Sequence, residues 1–98
     1  MDIREKLAKI GVKYVYAVEK QQKEYKRYKT QENEARLYIY RLMQEMLEKI
    51  SQEPNKEVYI SYGKRIKTMA IETKVSVADV VKDLKEINRL LDSNMDKN

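Results

Sequence analysis

The sequence predicts an all-α protein, with an N-terminal long helix or helical hairpin followed by a C-terminal three-helix unit. Two observations carry this. The 98-residue chain contains two Gly and one Pro and lacks Phe and Trp, so most turn formers are missing, while Lys, Glu, Leu and Ile, all good or fair helix formers, are abundant. Apolar residues also recur at alternating spacings of three and four along most of the chain, the period of a helix with one buried face. The length suits one compact unit with a single core.

Taking the elements in order, Ile3, Leu7, Ile10, Tyr14 and Ala17 or Val18 mark one face of a first helix, which Gly11 weakens without breaking. From Glu19 to Glu34 the chain is nearly all polar, and the stretch Thr30 to Asn33 admits either a continuous exposed helix or a turn. Leu37, Ile39, Tyr40, Leu42, Met43, Met46, Leu47 and Ile50 then form a broad apolar stripe, with Arg36, Arg41, Gln44, Glu45, Glu48 and Lys49 outside it. Without a turn near Thr30, the positions Tyr25, Tyr28, Glu32, Ala35, Ile39, Leu42 and Met46 keep a heptad spacing and make a rod suited to dimerisation. With a turn there, the two segments make a hairpin. Pro54 ends this region, because proline cannot continue a helix from its interior but fits the first turn of the next. Val58 to Tyr62 has strand-like residue types yet is read as helix, and residues 93–98 are expected to be a frayed tail.

Composition narrows the chemistry. The chain has no Cys and no His, which removes disulfides, thiolate sites, the commonest zinc ligand and the commonest general base. Its sixteen acids are interspersed among twenty-one basic residues, a pattern that ion pairing along helices explains without acid-base catalysis. No enzyme activity, cofactor, metal or small-molecule ligand is expected. The N-terminal residues contain no apolar run long enough for a signal peptide or a membrane span, so a cytoplasmic protein with no membrane partner is expected. The net charge of +5 suits an acidic partner such as nucleic acid.

The most informative stretch runs from Gly63 to Ile87, where the spacings are those of two short helices meeting at a tight turn. Met69 and Ala70 belong to the inner face of the first, and the small Ala70 allows close approach of the second. Lys74 and Val75 form the turn. Ser76 is placed to cap the following helix, with Asp79 completing a weak capping box. Val80, Leu84, Ile87 and Leu91 recur at four, three and four residues as its buried face. Val77, Ala78, Val81, Lys82 and Lys85 lie toward other faces.

Met69, Ala70, Val75, Ser76, Val77, Val80, Lys82, Asp83, Leu84 and Lys85 together resemble the helix-turn-helix of bacterial transcriptional repressors of the DeoR-like winged-helix kind. The resemblance covers residues 63–87. It departs from the family at Lys74, where a turn glycine is usual, at Thr73, where an apolar residue is usual, and after Leu91, where no wing hairpin follows. What the resemblance implies is a second helix that enters the major groove of double-stranded DNA, with Ser76, Val77, Ala78, Val81 and Lys82 toward the bases. Lys64, Arg65 and Lys67, at the start of the first helix, would lie along the phosphate backbone, and Lys85 of the second helix is available to the DNA.

These readings divide the chain into an oligomerisation element, residues 1–53, and a helix-turn-helix unit, residues 54–92. A wingless recognition helix makes few contacts, so sequence-specific binding to duplex DNA, as in a transcriptional regulator or a plasmid or mobile-element control protein, is expected from a homodimer. The dimer is expected to form through Leu37, Ile39, Leu42, Met43, Met46, Leu47 and Ile50. Two other readings remain. The same stripe, with Met43 and Met46 exposed, would suit a helical adaptor or inhibitor that binds a partner protein. Lys20, Lys23, Lys26, Arg27 and Lys29, interleaved with Tyr25 and Tyr28, would suit single-stranded nucleic acid.

Overall fold

The computed structural model describes residues 2–96, with side chains for 2–94. It contains four α-helices: α1 (Ile3–Arg27), α2 (Gln31–Gln52), α3 (Lys56–Thr73) and α4 (Ala78–Asp96). The particle is elongated, 47 × 24 × 18 Å, as expected where two helices exceed twenty residues.

The starts of α1, α2 and α3 each have a chemical cause. Asp2 accepts a bond from the Arg4 amide at the head of α1. Thr30 accepts one from the Asn33 amide at the head of α2, and Asn55 accepts from Glu57 and Val58 at the head of α3. Each side chain satisfies amides that the first helical turn leaves without partners. The polar stretch around Thr30 is therefore a turn, and α1 and α2 form a hairpin. Asn33 fastens it by donating to the Tyr28 carbonyl, while Gln21 donates to the Asn33 carbonyl and side-chain oxygen. Pro54 lies in the loop before the Asn55 cap, not in the first turn of α3.

Neighbouring helices run antiparallel. Tyr62 of α3 donates to Glu45 of α2, and Tyr59 of α3 donates to the Leu84 carbonyl of α4. Helix α4 returns to α1, where Tyr14 donates to Asp83 at 2.6 Å. One core cluster draws residues from all four helices, including Leu7 and Tyr14 of α1, Ile39, Met43, Met46 and Ile50 of α2, Ile66 of α3, and Val80, Leu84, Ile87 and Leu91 of α4.

Three expectations are corrected. The stripe Leu37, Ile39, Leu42, Met43, Met46, Leu47 and Ile50 is 5 % exposed or less at every position, because α1, α3 and α4 cover it within one chain. It therefore offers no surface for a dimer or a partner protein. Residues 54–92 hold two helices, not three, because the strand-like Val58 to Tyr62 stretch continues unbroken into an eighteen-residue α3. Ser93 to Asp96 belong to α4 instead of a frayed tail, and Lys97 and Asn98 lie outside the described residues.

Candidate nucleic-acid interface

The corner between α3 and α4 is built from backbone first. Lys74 has φ 56° and ψ 35°, in the left-handed region. The Lys74 amide bonds to the Ile71 carbonyl and the Val75 amide to the Ala70 carbonyl at 3.1 Å, the pair of bonds that closes a Schellman end. A lysine in this conformation costs about 1 kcal/mol relative to glycine. Burial of Val75 (6 % exposed), the residue just past the left-handed position, fixes the chain there. The turn thus adopts the left-handed conformation without a glycine.

The start of α4 differs from expectation. The Val81 amide bonds to the Val77 carbonyl at 3.0 Å, so Val77 immediately precedes the first turn and Ser76 lies one residue too early to cap it. Among the described residues the Ser76 hydroxyl makes no hydrogen bond to Ala78 or Asp79. Asp79 accepts from the Tyr40 hydroxyl at 3.2 Å and closes no capping box. Val77 is buried, 5 % exposed, which corrects its assignment to the DNA-facing set: the valines at 75 and 77 are both buried in the core, with the exposed Ser76 between them.

The remaining sequence-predicted residues fall into two places. Ser76, Ala78, Val81, Lys82 and Lys85 are exposed on the outer side of α4. On α3, Ile60, Lys64, Lys67 and Ile71 recur at four, three and four residues and are all exposed, so they share its outer face. The ammonium of Lys56 bonds Asn88 and Asp92 at the far end of the pair, which keeps α3 and α4 side by side. Lys64, Lys67, Lys82, Lys85 and, at the corner, Lys74 are all exposed, and Lys64 also lines the groove between α2 and α3. Arg65 is held on the α2 side of α3. Its guanidinium lies 3.4 Å from the Tyr38 hydroxyl and over the Tyr62 ring, facing a groove of about 300 Å³ between α2 and α3.

Electrostatics sharpen this surface. Four acids of α4 are engaged: Asp79 with Tyr40, Asp83 with Tyr14 and Lys13, Glu86 with Arg89 on α4 itself, and Asp92 with Lys56. The hydrogen bond from Arg89 holds the Glu86 carboxyl below its usual range. Burial, reinforced by Asp79, raises the Tyr40 phenol. Among the described residues none of Lys64, Lys67, Lys74, Lys82 and Lys85 forms an ion pair. Sequence reasoning missed Ile60, Ile71 and Lys74 as members of this surface. The i, i+4, i+7, i+11 spacing from Ile60 to Ile71 carries that signal, and Ile71, 76 % exposed, is its most accessible apolar side chain.

Among the described residues no group of His, Cys, Asp or Glu could hold a metal ion, and no helix is long and apolar enough to cross a membrane. Comparison of the chain with protein-family models, with curated proteins and with solved structures found no match.

Proposed function

We infer that the outer face of α3 and α4 binds double-stranded DNA. The observation that carries this reading is the pairing of charge on α4: Asp79, Asp83 and Asp92 bond to partners on other helices and Glu86 to Arg89, while among the described residues Lys82 and Lys85 form no ion pair. Free ammonium groups on one rigid surface release counterions when they meet phosphate, which supplies most of the affinity of such contacts. Ser76, Ala78 and Val81, around the first turn of α4, are the side chains available to base edges, with Val81 suited to a thymine methyl group. Sequence-specific regulation of transcription, or of a plasmid or mobile element, is the role this reading proposes.

Duplex is favoured over single-stranded nucleic acid by the positions of the tyrosines. Of the two interleaved with the basic cluster of α1, Tyr25 is half-buried and donates to Glu34 at 2.8 Å, which leaves only Tyr28 free to stack. The test is competition of unlabelled duplex and single-stranded DNA for a fluorescent duplex, read by anisotropy at low salt. Duplex should compete better. The double variant Lys82→Ala and Lys85→Ala should lose about ten-fold in duplex affinity. Equal competition by both nucleic acids, or an unaltered double variant, would remove α4 from the interface.

A further inference from the structure

Helix α1 buries Leu7 and Tyr14 on its inner face, yet Val12 and Tyr16 on the opposite face and Val15 on the flank toward α2 stay 55, 68 and 48 % exposed. Along that outer face Glu5, Lys9, Val12, Tyr16, Glu19 and Lys23 recur at alternating steps of four and three, and all are exposed. This is the spacing of a helix-packing seam. It is about 27 Å long, apolar at its middle, and carries one acid and one base at either end.

We propose that this face of α1 binds the same face of a second copy of the chain, antiparallel, about a two-fold axis level with residue 14. That symmetry sets Val12 against Tyr16 of the second copy, Lys9 against Glu19 and Glu5 against Lys23, and every contact occurs twice. Each charge meets its opposite and the apolar centre meets itself. A parallel pair would instead set Glu5 on Glu5 and Lys9 on Lys9, and like charges opposed across an interface disfavour it.

The surface also holds a socket for the central side chain. Ala8, Gly11, Val12 and Val15 stand at i, i+3, i+4 and i+7, the four positions that frame a hole for a knob from a facing helix. They form one wall of a groove of about 380 Å³ between α1 and α2. Gly11 leaves this wall open, with the Leu47 Cβ behind it 3.5 Å from where a side chain would begin. Tyr16 of the second copy, opposite residue 12, is the knob that reaches the groove, and Gln44, Glu48 and Ser51 on the α2 wall provide partners for its hydroxyl. Glu19 and Lys23, 3.9 Å apart within one chain, become part of a four-charge network with Lys9 and Glu5 of the second copy. A seam of this length falls at the small end of specific interfaces, roughly 1,000 Å² in total, which makes the dimer concentration-dependent.

Sedimentation equilibrium of the full chain over a range of concentrations tests this, with circular dichroism to check that each surface variant folds. The wild type should follow a monomer–dimer equilibrium. Glu5→Lys and Lys23→Glu, each alone, oppose like charges at two places and should weaken dimerisation about ten-fold. An equimolar mixture of the two should dimerise as well as the wild type, because opposite charges again face each other at both places. Tyr16→Ala should weaken the dimer by emptying the groove. A wild type that remains monomeric at millimolar concentration overturns the proposal, as does a mixture no better than either variant alone. A monomer that co-sediments with phosphatidylglycerol vesicles, and loses that binding in Tyr16→Ala, would assign the face to an anionic membrane surface instead.

Discussion

Asp83 is a carboxylate on the apolar side of α4, 8 % exposed, and it is tolerated there because two donors reach it. The Tyr14 hydroxyl lies at 2.6 Å and the Lys13 ammonium at 2.7 Å, both on the same oxygen. A buried charge without such partners would cost several kcal/mol. Burial first, and the bond to Asp83 second, push the Tyr14 phenol well above its ordinary value. Tyr14→Phe keeps the ring and removes the donor, and should cost about 1 to 2 kcal/mol at neutral pH by urea unfolding. Because the folded-state value is raised, this contribution is fully present below the unfolded value near pH 10 and is lost as pH climbs above it. The gap between wild type and variant should therefore narrow in alkaline solution, and a constant gap would contradict the assignment. That Asp83 stands in phase with Val80, Leu84 and Ile87 was legible in the sequence. Its partner was not, since the contact spans 69 positions.

At the scale of elements, periodicity located what each helix buries but not what covers it. The α2 stripe was read with the right residues and the wrong partner. Its breadth fits a helix flanked on several sides within one chain, a geometry that period alone does not separate from a dimer seam. The α3–α4 corner was legible because Ala70, Val75 and Val80 mark close packing, whereas Ser76 drew the helix start one residue early. Caps are read from residue types, and here the better capping residue loses to the burial of Val75 and Val77. The consequence is a sharp contrast on two neighbouring turns. Val77→Ala should destabilise the fold by about 1 to 3 kcal/mol through lost burial and a cavity. Val81→Ala, at a site 41 % exposed, should change stability by less than about 0.5 kcal/mol while weakening specific DNA binding. Denaturant midpoints and anisotropy titrations of the two variants distinguish the faces, and a Val81 variant as destabilised as the Val77 variant would mean that α4 is buried on both sides.

Across the whole molecule, the net charge of +5 is less informative than its placement. Ion pairs along α1 and α2, such as Glu19 with Lys23 and Glu32 with Arg36, offset charge locally, and tertiary pairs hold Asp83 against Lys13 of α1 and Asp92 against Lys56 of α3. The helical class and most core positions were legible, because both follow from local spacing. The diversion of Arg65 toward Tyr38 was not, because it depends on how α3 rolls against α2. The direct measurement is the salt dependence of duplex affinity for the wild type and for a variant with Lys64, Lys67, Lys82 and Lys85 all changed to Ala. Binding should weaken steeply as salt rises, and the slope of log affinity against log salt should fall by about 2 to 4 units in the variant. A slope unchanged by the four substitutions, or a wild type that fails to bind duplex at low salt, would contradict a DNA-binding face on α3 and α4.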